Sequence, residues 1–344
     1  MIGSLGEVIH QLGPDDCLSP SGRLKGEPAP SLLAALQLDI DIIMELWIPI
    51  TIAAAFLQNV RSAMQKHLKG VMGTTGATFV RFGFGFPFAL VFVWILNRGA
   101  GFGMPSFNAG FLVWAVIGGV GQIAATFLLV HLFSFRNFAV GTAYSRTEPA
   151  QAALFGLMFL GETVTFDVIA AIAVSMFGVM LISVARTEFS WRALVTSVGT
   201  RTALIGLFSG TLFGVSAVAY RAASLALGGP NFMMQAAVTL AFVIVFQTVL
   251  MGAWMMWKDR AEFGRIARAW KPSLLVGFAG ACASFGWFMA MTLQQAAIVK
   301  SLAQIEMIFT FASSVFFFRE RINWLETIGC ILIVGGILIL LIVN

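Results

Sequence analysis

Three long stretches of this chain, residues 168–185, 232–257 and 273–299, contain no Asp, Glu, Lys or Arg. A helix needs about 20 mostly apolar residues to cross the hydrocarbon core of a bilayer. Within that core each backbone N–H and C=O must be bonded inside the segment, which leaves the α-helix as the solution for runs of this kind. The rest of the chain agrees, with 59% hydrophobic and 11% charged residues, against about 25% charged in a soluble domain. The chain is therefore expected to be an all-α integral membrane protein.

Net charge and cysteines then narrow the partners. The formal charge is +5, but no basic and aromatic residues cluster outside the apolar runs, so nucleic acid is not an expected partner. Basic residues in a membrane chain serve instead to orient it. Cys17, Cys282 and Cys330 share no paired spacing, which argues for packing rather than a disulfide or metal site. Gly99, Gly101 and Gly103 follow no strand, and Ser106 breaks the spacing of a dinucleotide loop. No cofactor and no metal are expected.

Hydropathy divides the chain into ten spans, about 46–66, 74–96, 109–133, 138–160, 165–185, 202–224, 231–257, 273–292, 295–318 and 323–343. Residues 1–43 differ from the rest, being rich in Pro, Gly and Asp turn signals. They read as a poorly ordered tail, with Met44 a candidate true start. Residues 44–187 form a first five-helix repeat, 188–201 a linker and 202–344 a second repeat. A shift of 158 residues brings Glu306 onto Glu148, Glu320 onto Glu162, Phe317 onto Phe159 and Gly336 onto Gly178. Five spans per repeat is an odd number, so the second repeat enters from the opposite side. Inverted repeats are a common basis of alternating access in secondary transporters.

Fourteen of the 21 basic residues fall on the side reached after odd-numbered spans and three on the other. The positive-inside tendency then places both termini outside the cytoplasm. Arg81, Arg146, Arg221 and Lys300 remain within spans.

An ionisable group at the centre of a membrane costs roughly 2.5–3.5 kcal/mol on insertion scales and is a functional candidate by default. Glu148 and Glu306 lie about ten residues into their spans, at equivalent points of the repeat. They are candidates for proton or substrate binding, or for an ion pair that locks helix packing. Pro149 withdraws a backbone donor beside Glu148 and kinks the span. Met307 stands at the matching position, so the kink is expected on one side only. Arg81, Arg146 and Lys300 could face a carboxylate or phosphate, or neutralise the glutamates, and snorkelling accounts readily for Lys300 and Arg221. Tyr144, Gln304 and Trp287, with Gln58, Asn59, Gln122, Gln151, Tyr220 and Gln235, could line a cavity or form interhelical bonds. Gly206, Gly210 and Gly214 form a small-residue ridge suited to close helix approach. Glu162 and Glu320 are read as structural, favoured near the start of the following helix.

These residues resemble the EamA-type members of the drug/metabolite transporter superfamily. The resemblance is carried by Phe159-Leu160-Gly161-Glu162, with Glu148-Pro149 upstream and Gly178 downstream. Arg81-Phe82 and the second copy, Phe317-Phe318-Arg319-Glu320 with Gly336, support it. It implies a ten-helix, basket-like carrier with a central cavity, exporting or exchanging metabolites, often with proton or counter-substrate coupling. Arg81, Glu148 and Pro149 are the positions it carries over. Two departures stand out: Met307 replaces the second proline, and the connection after the second span holds only Arg98. The family pattern places the termini inside the cytoplasm, opposite to the charge count.

The expected function is secondary transport of a small organic solute, anionic or zwitterionic given the intramembrane cations. The partners are that solute and the lipid bilayer, with a homodimer admitted. The expected location is an inner, plasma membrane of bacterial type. A membrane enzyme acting on a lipid-linked substrate, or a scaffold or channel, is the alternative. The first of these lacks clustered histidines, since only His10, His67 and His131 occur.

Overall fold

The computed structural model describes residues 45–132, 135, 138–185, 200–229, 231–316 and 323–343. The tail expected over 1–43, most of the linker, and Phe317-Phe318-Arg319-Glu320 lie outside the described residues. The described elements are helices. In chain order they are α1 (Trp47–Leu68), α2 (Thr74–Gly83), α3 (Phe86–Trp94), α4 (Ala109–Leu132), α5 (Phe138–Ser145), α6 (Glu148–Leu160) and α7 (Phe166–Ala185). There follow α8 (Arg201–Ala226), α9 (Phe232–Lys258), α10 (Ala261–Arg268), α11 (Trp270–Leu293), α12 (Ala296–Leu302), α13 (Ile305–Phe316) and α14 (Trp324–Val343). A π-helical turn, Ile95–Gly99, extends α3.

Seven segments among the described residues are long and apolar enough to cross a membrane: Thr74–Gly99, Ala109–Leu132, Phe166–Ser183, Arg201–Ala226, Phe232–Lys258, Trp270–Leu293 and Trp324–Val343. The first, fourth and ninth expected spans fall outside this set. α1 is long but carries Gln58, Asn59, Arg61, Gln65 and Lys66. The other two are interrupted, α5 from α6 and α12 from α13.

Several helix ends recur at the sequence offset. α14 begins and ends 158 residues after α7 (324 against 166, 343 against 185). α9 starts at 232 against 74 for α2, and α8 ends at 226 against 68 for α1. Contacts exchange in the same way. α4 packs on α8 while α11 packs on α1, and α8 touches α5 and α6 while α1 touches α12 and α13.

Large apolar side chains such as Phe166, Trp257 and Ile342 point outward, whereas the interior is rich in Ala, Gly and Ser. In water such a surface would be a liability. In lipid it is the natural outer face, and close packing of small residues supplies the attraction between helices. The ridge on α8 does this directly. A Cβ on Gly206 would sit 1.9 Å from the Gly141 carbonyl oxygen, and one on Gly210 would sit 2.8 Å from that of Ser145. Gly178 and Gly329 lie equally close across the α7–α14 contact. Near the end of α9, Lys258 lies over the Trp257 ring at 4.6 Å, an arrangement suited to a membrane–water interface.

Candidate functional site

The two interrupted spans position the central polar groups. After α5, the amides of Arg146 and Thr147 turn back to the carbonyls of Ala143 and Tyr144, both at 3.2 Å. Pro149, second in α6, has no N–H to give Ser145, so the α-helical ladder cannot run through. The Thr147 hydroxyl donates to the Tyr144 carbonyl at 2.7 Å and accepts from Gln151 Nε2 at 2.7 Å. α12 and α13 are separated in the same way, with Glu306 and Met307 donating to Ala303 and Gln304 at 3.0 and 2.9 Å. The one-sided kink expected from Met307 is therefore corrected. A turn of three-residue bonds replaces the helical ladder without a proline, and Gln304 Nε2 ties that turn to the Arg146 carbonyl at 3.4 Å.

The breaks leave Glu148 as the first residue of α6 and Glu306 as the second of α13. A carboxylate at a helix N-terminus is favoured by the unpaired amides and the dipole. Each glutamate is also paired across the halves of the chain. Lys300 Nζ lies 2.8 Å from Glu148 Oε1, and Arg146 Nη1 lies 3.4 Å from Glu306 Oε2. Arg146 and Glu148, two residues apart, do not face one side of a helix, and each pairs with a residue of the second half instead. Snorkelling does not describe Lys300: its ammonium ends on Glu148 and lies 5.0 Å from the Trp287 ring centre. Trp287 Nε1 donates to Gln58 Oε1 at 3.0 Å, and Gln58 Nε2 donates to Glu306 Oε2 at 3.3 Å. Six side chains from α1, α6, α11, α12, α13 and the α5–α6 break thus form one connected cluster. Tyr144 is half-buried on α5, its carbonyl held by Thr147.

Arg81 stands apart from this cluster, buried on α2 beside Arg61 of α1. A Cβ on Gly280 of α11 would meet Arg61 Cδ at 3.3 Å and Arg81 Cγ at 3.4 Å, so both stems converge on that glycine. In the charge count Arg61 is one of the fourteen basic residues on the side reached after odd-numbered spans. Its signal was the spacing of Gln58, Arg61 and Gln65, which draws a polar stripe along one face of α1.

Other polar residues are engaged elsewhere. Tyr220, Gln122 and Gln247 form a closed set joining α4, α8 and α9, with Tyr220 Oη to Gln122 Oε1 at 3.1 Å and Gln247 Nε2 to the same oxygen at 2.9 Å. Gln235 holds the Gly228 and Gly229 carbonyls. Arg221 does not snorkel either: it pairs with Glu162 and donates to the carbonyls of Met291 and Gln294, both at 2.7 Å. It thereby satisfies acceptors left free at the end of α11. The partner of Glu162 is thus Arg221, a stronger tie than the helix dipole expected for it. Glu262, which no motif marked, is buried on α10 and accepts from the Gly73 amide at 3.0 and 3.1 Å, which fastens the start of α2.

The comparisons with known proteins agree with this architecture. A protein known from its crystal structure shares the fold with a TM-score of 0.65 and 17% identity, over 86% of this chain and 96% of the other. Among curated proteins, none matches. Residues 200–342 match the EamA-like transporter family. The second half of the chain is therefore similar to the EamA-like transporter family, part of the drug/metabolite transporter superfamily.

Proposed function

We propose that the protein is a secondary carrier of a small organic solute, built from ten spans in two inverted five-helix repeats. The observation that carries this reading is the pair of broken spans whose glutamates, 158 residues apart, each pair with a cation across the halves of the chain. Discontinuous helices near the midplane, with charged groups at their half-helix ends, suit a site that opens to either side by rocking of two repeats. Glu148 lies ten residues after the start of α5 and twelve before the end of α6. At 1.5 Å per residue these are about 15 and 18 Å, which is mid-depth in a core of about 30 Å. In this reading the Lys300–Glu148 and Arg146–Glu306 pairs hold one state. Solute or proton binding at the carboxylates releases them. Export or exchange, with proton coupling through Glu148, is the mode we favour.

Purified protein in liposomes loaded with a panel of amino acids, organic acids, nucleosides and sugars tests the reading. At least one solute is expected to leave faster than from protein-free vesicles, with Glu148→Gln abolishing the effect. Equal leakage of the whole panel with and without protein would overturn it. For orientation, a reporter active only in the cytoplasm is expected to stay silent when fused after Asn344.

A further inference from the structure

Among the described residues, not every interior charge has an ion-pair partner. Lys300 answers Glu148 and Arg146 answers Glu306, so both central carboxylates are taken. Two cations remain, Arg61 and Arg81, only 8% and 6% exposed. Arg61 Nη2 reaches Ser62 Oγ at 3.2 Å, while its Nε and Nη1 are buried without a hydrogen-bond partner. Arg81 has no hydrogen bond or ion pair among the described residues; the Phe82 ring lies 5.3 Å from its Cζ, and Tyr220 is close enough to interact electrostatically. The two guanidinium groups repel one another, and Glu306 is the acid that Arg61 senses across the gap. Desolvating one unpaired cation is costly, and setting a second beside it raises that cost.

We propose that Arg61 and Arg81 form a binding site for an oxyanion, a carboxylate or phosphate carried by the transported solute. The proposal rests on the carrier reading and names the class of its cargo. A guanidinium presents a planar fork of donors that matches the two oxygens of such a group. Gly280 leaves the space in which both stems lie side by side. Arg61 is seven residues before the end of α1, and Arg81 seven after the start of α2. Each is thus about 10 Å from the α1–α2 connection along its helix. Gln58, one turn deeper on α1, belongs to the central cluster. An anion held by the arginines would therefore extend the rest of its molecule toward Trp287 and the paired glutamates. A free solute is the occupant favoured over a lipid headgroup, because both arginines are enclosed by α1, α2 and α11 rather than presented on the outer face.

Thermal unfolding of the full-length protein in a neutral detergent tests this without requiring transport. Sodium phosphate, succinate and acetate are titrated against sodium chloride at equal ionic strength, and phosphatidylglycerol is added in a separate series. At least one of the three solutes is expected to raise the midpoint saturably. Arg61→Gln and Arg81→Gln should each weaken that apparent affinity tenfold or more, and each should unfold no lower than wild type without anion, since an uncompensated charge is gone. Arg81→Lys keeps the charge and should recover only part of the affinity. No saturable shift with any of the three solutes overturns the proposal, as does an equal shift in both Gln variants or a response to phosphatidylglycerol alone. A carrier active in the liposome panel but silent here would retain its function and lose this site.

Discussion

Lys300, in the second half of the chain, ends 2.8 Å from the carboxylate of Glu148 in the first, with both side chains at least four-fifths buried. Removal of one member leaves the other charged and desolvated, which costs about 3–5 kcal/mol. Lys300→Met should therefore lower the unfolding midpoint clearly. Combining it with Glu148→Gln should restore most of the loss, because neither charge then remains. A double-mutant cycle with additive losses would mean that the two groups do not interact.

The companion pair is expected to matter less. Arg146 keeps 35% of its side chain exposed, and Glu306 also holds the Gln58 amide. Solvent screening reduces the worth of such a pair to about 1 kcal/mol or less. Arg146→Gln should cost much less stability than Lys300→Met in the same unfolding assay.

Glycines on two helices should respond in opposite directions. A Cβ at Gly206 meets the Gly141 carbonyl at 1.9 Å, whereas one at Gly264 meets nothing within 4 Å. Gly206→Ala must push α8 away from α5 and should cost about 1–3 kcal/mol, as overpacking does. Gly264→Ala in α10 should gain about 0.5–1 kcal/mol from helix propensity. The same thermal measurement on both variants checks the contrast.

Glu262 joins α10 to α2 through the Gly73 amide and pairs with Arg265. Glu262→Ala leaves that amide without its acceptor, at a cost of about 1–3 kcal/mol. Hydrogen exchange should rise at residues 73–77 before it rises in α9 or α11. Unchanged exchange there would show that the carboxylate does not hold the start of α2.

Membrane class, apolar helices and the 158-residue spacing were legible because each depends on local composition or on self-similarity along the chain. Glu148, Glu306, Lys300 and Trp287 were named from the rarity of polar groups in apolar runs. Their partners could not be read in the same way, since Lys300 and Glu148 are 152 residues apart and meet only after the helices pack. Snorkelling and ion pairing make the same demand on sequence, a long cation within an apolar helix. The break before Ile305 was hidden for a related reason: no proline marks it, and the tie from Gln304 to Arg146 comes from the opposite half.

Composition and pattern by themselves determined that this chain forms apolar helices suited to a membrane, with a few charged residues inside apolar runs. They could do so because bilayer thickness and backbone hydrogen bonding leave few other solutions. Tertiary structure decided which charges cancel. It joined Glu148 to Lys300 and Glu306 to Arg146, and among the described residues it left Arg61 beside Arg81 with no ion pair for either. Charge pairing depends on distances of a few ångströms between side chains on different helices, and only packing sets those distances.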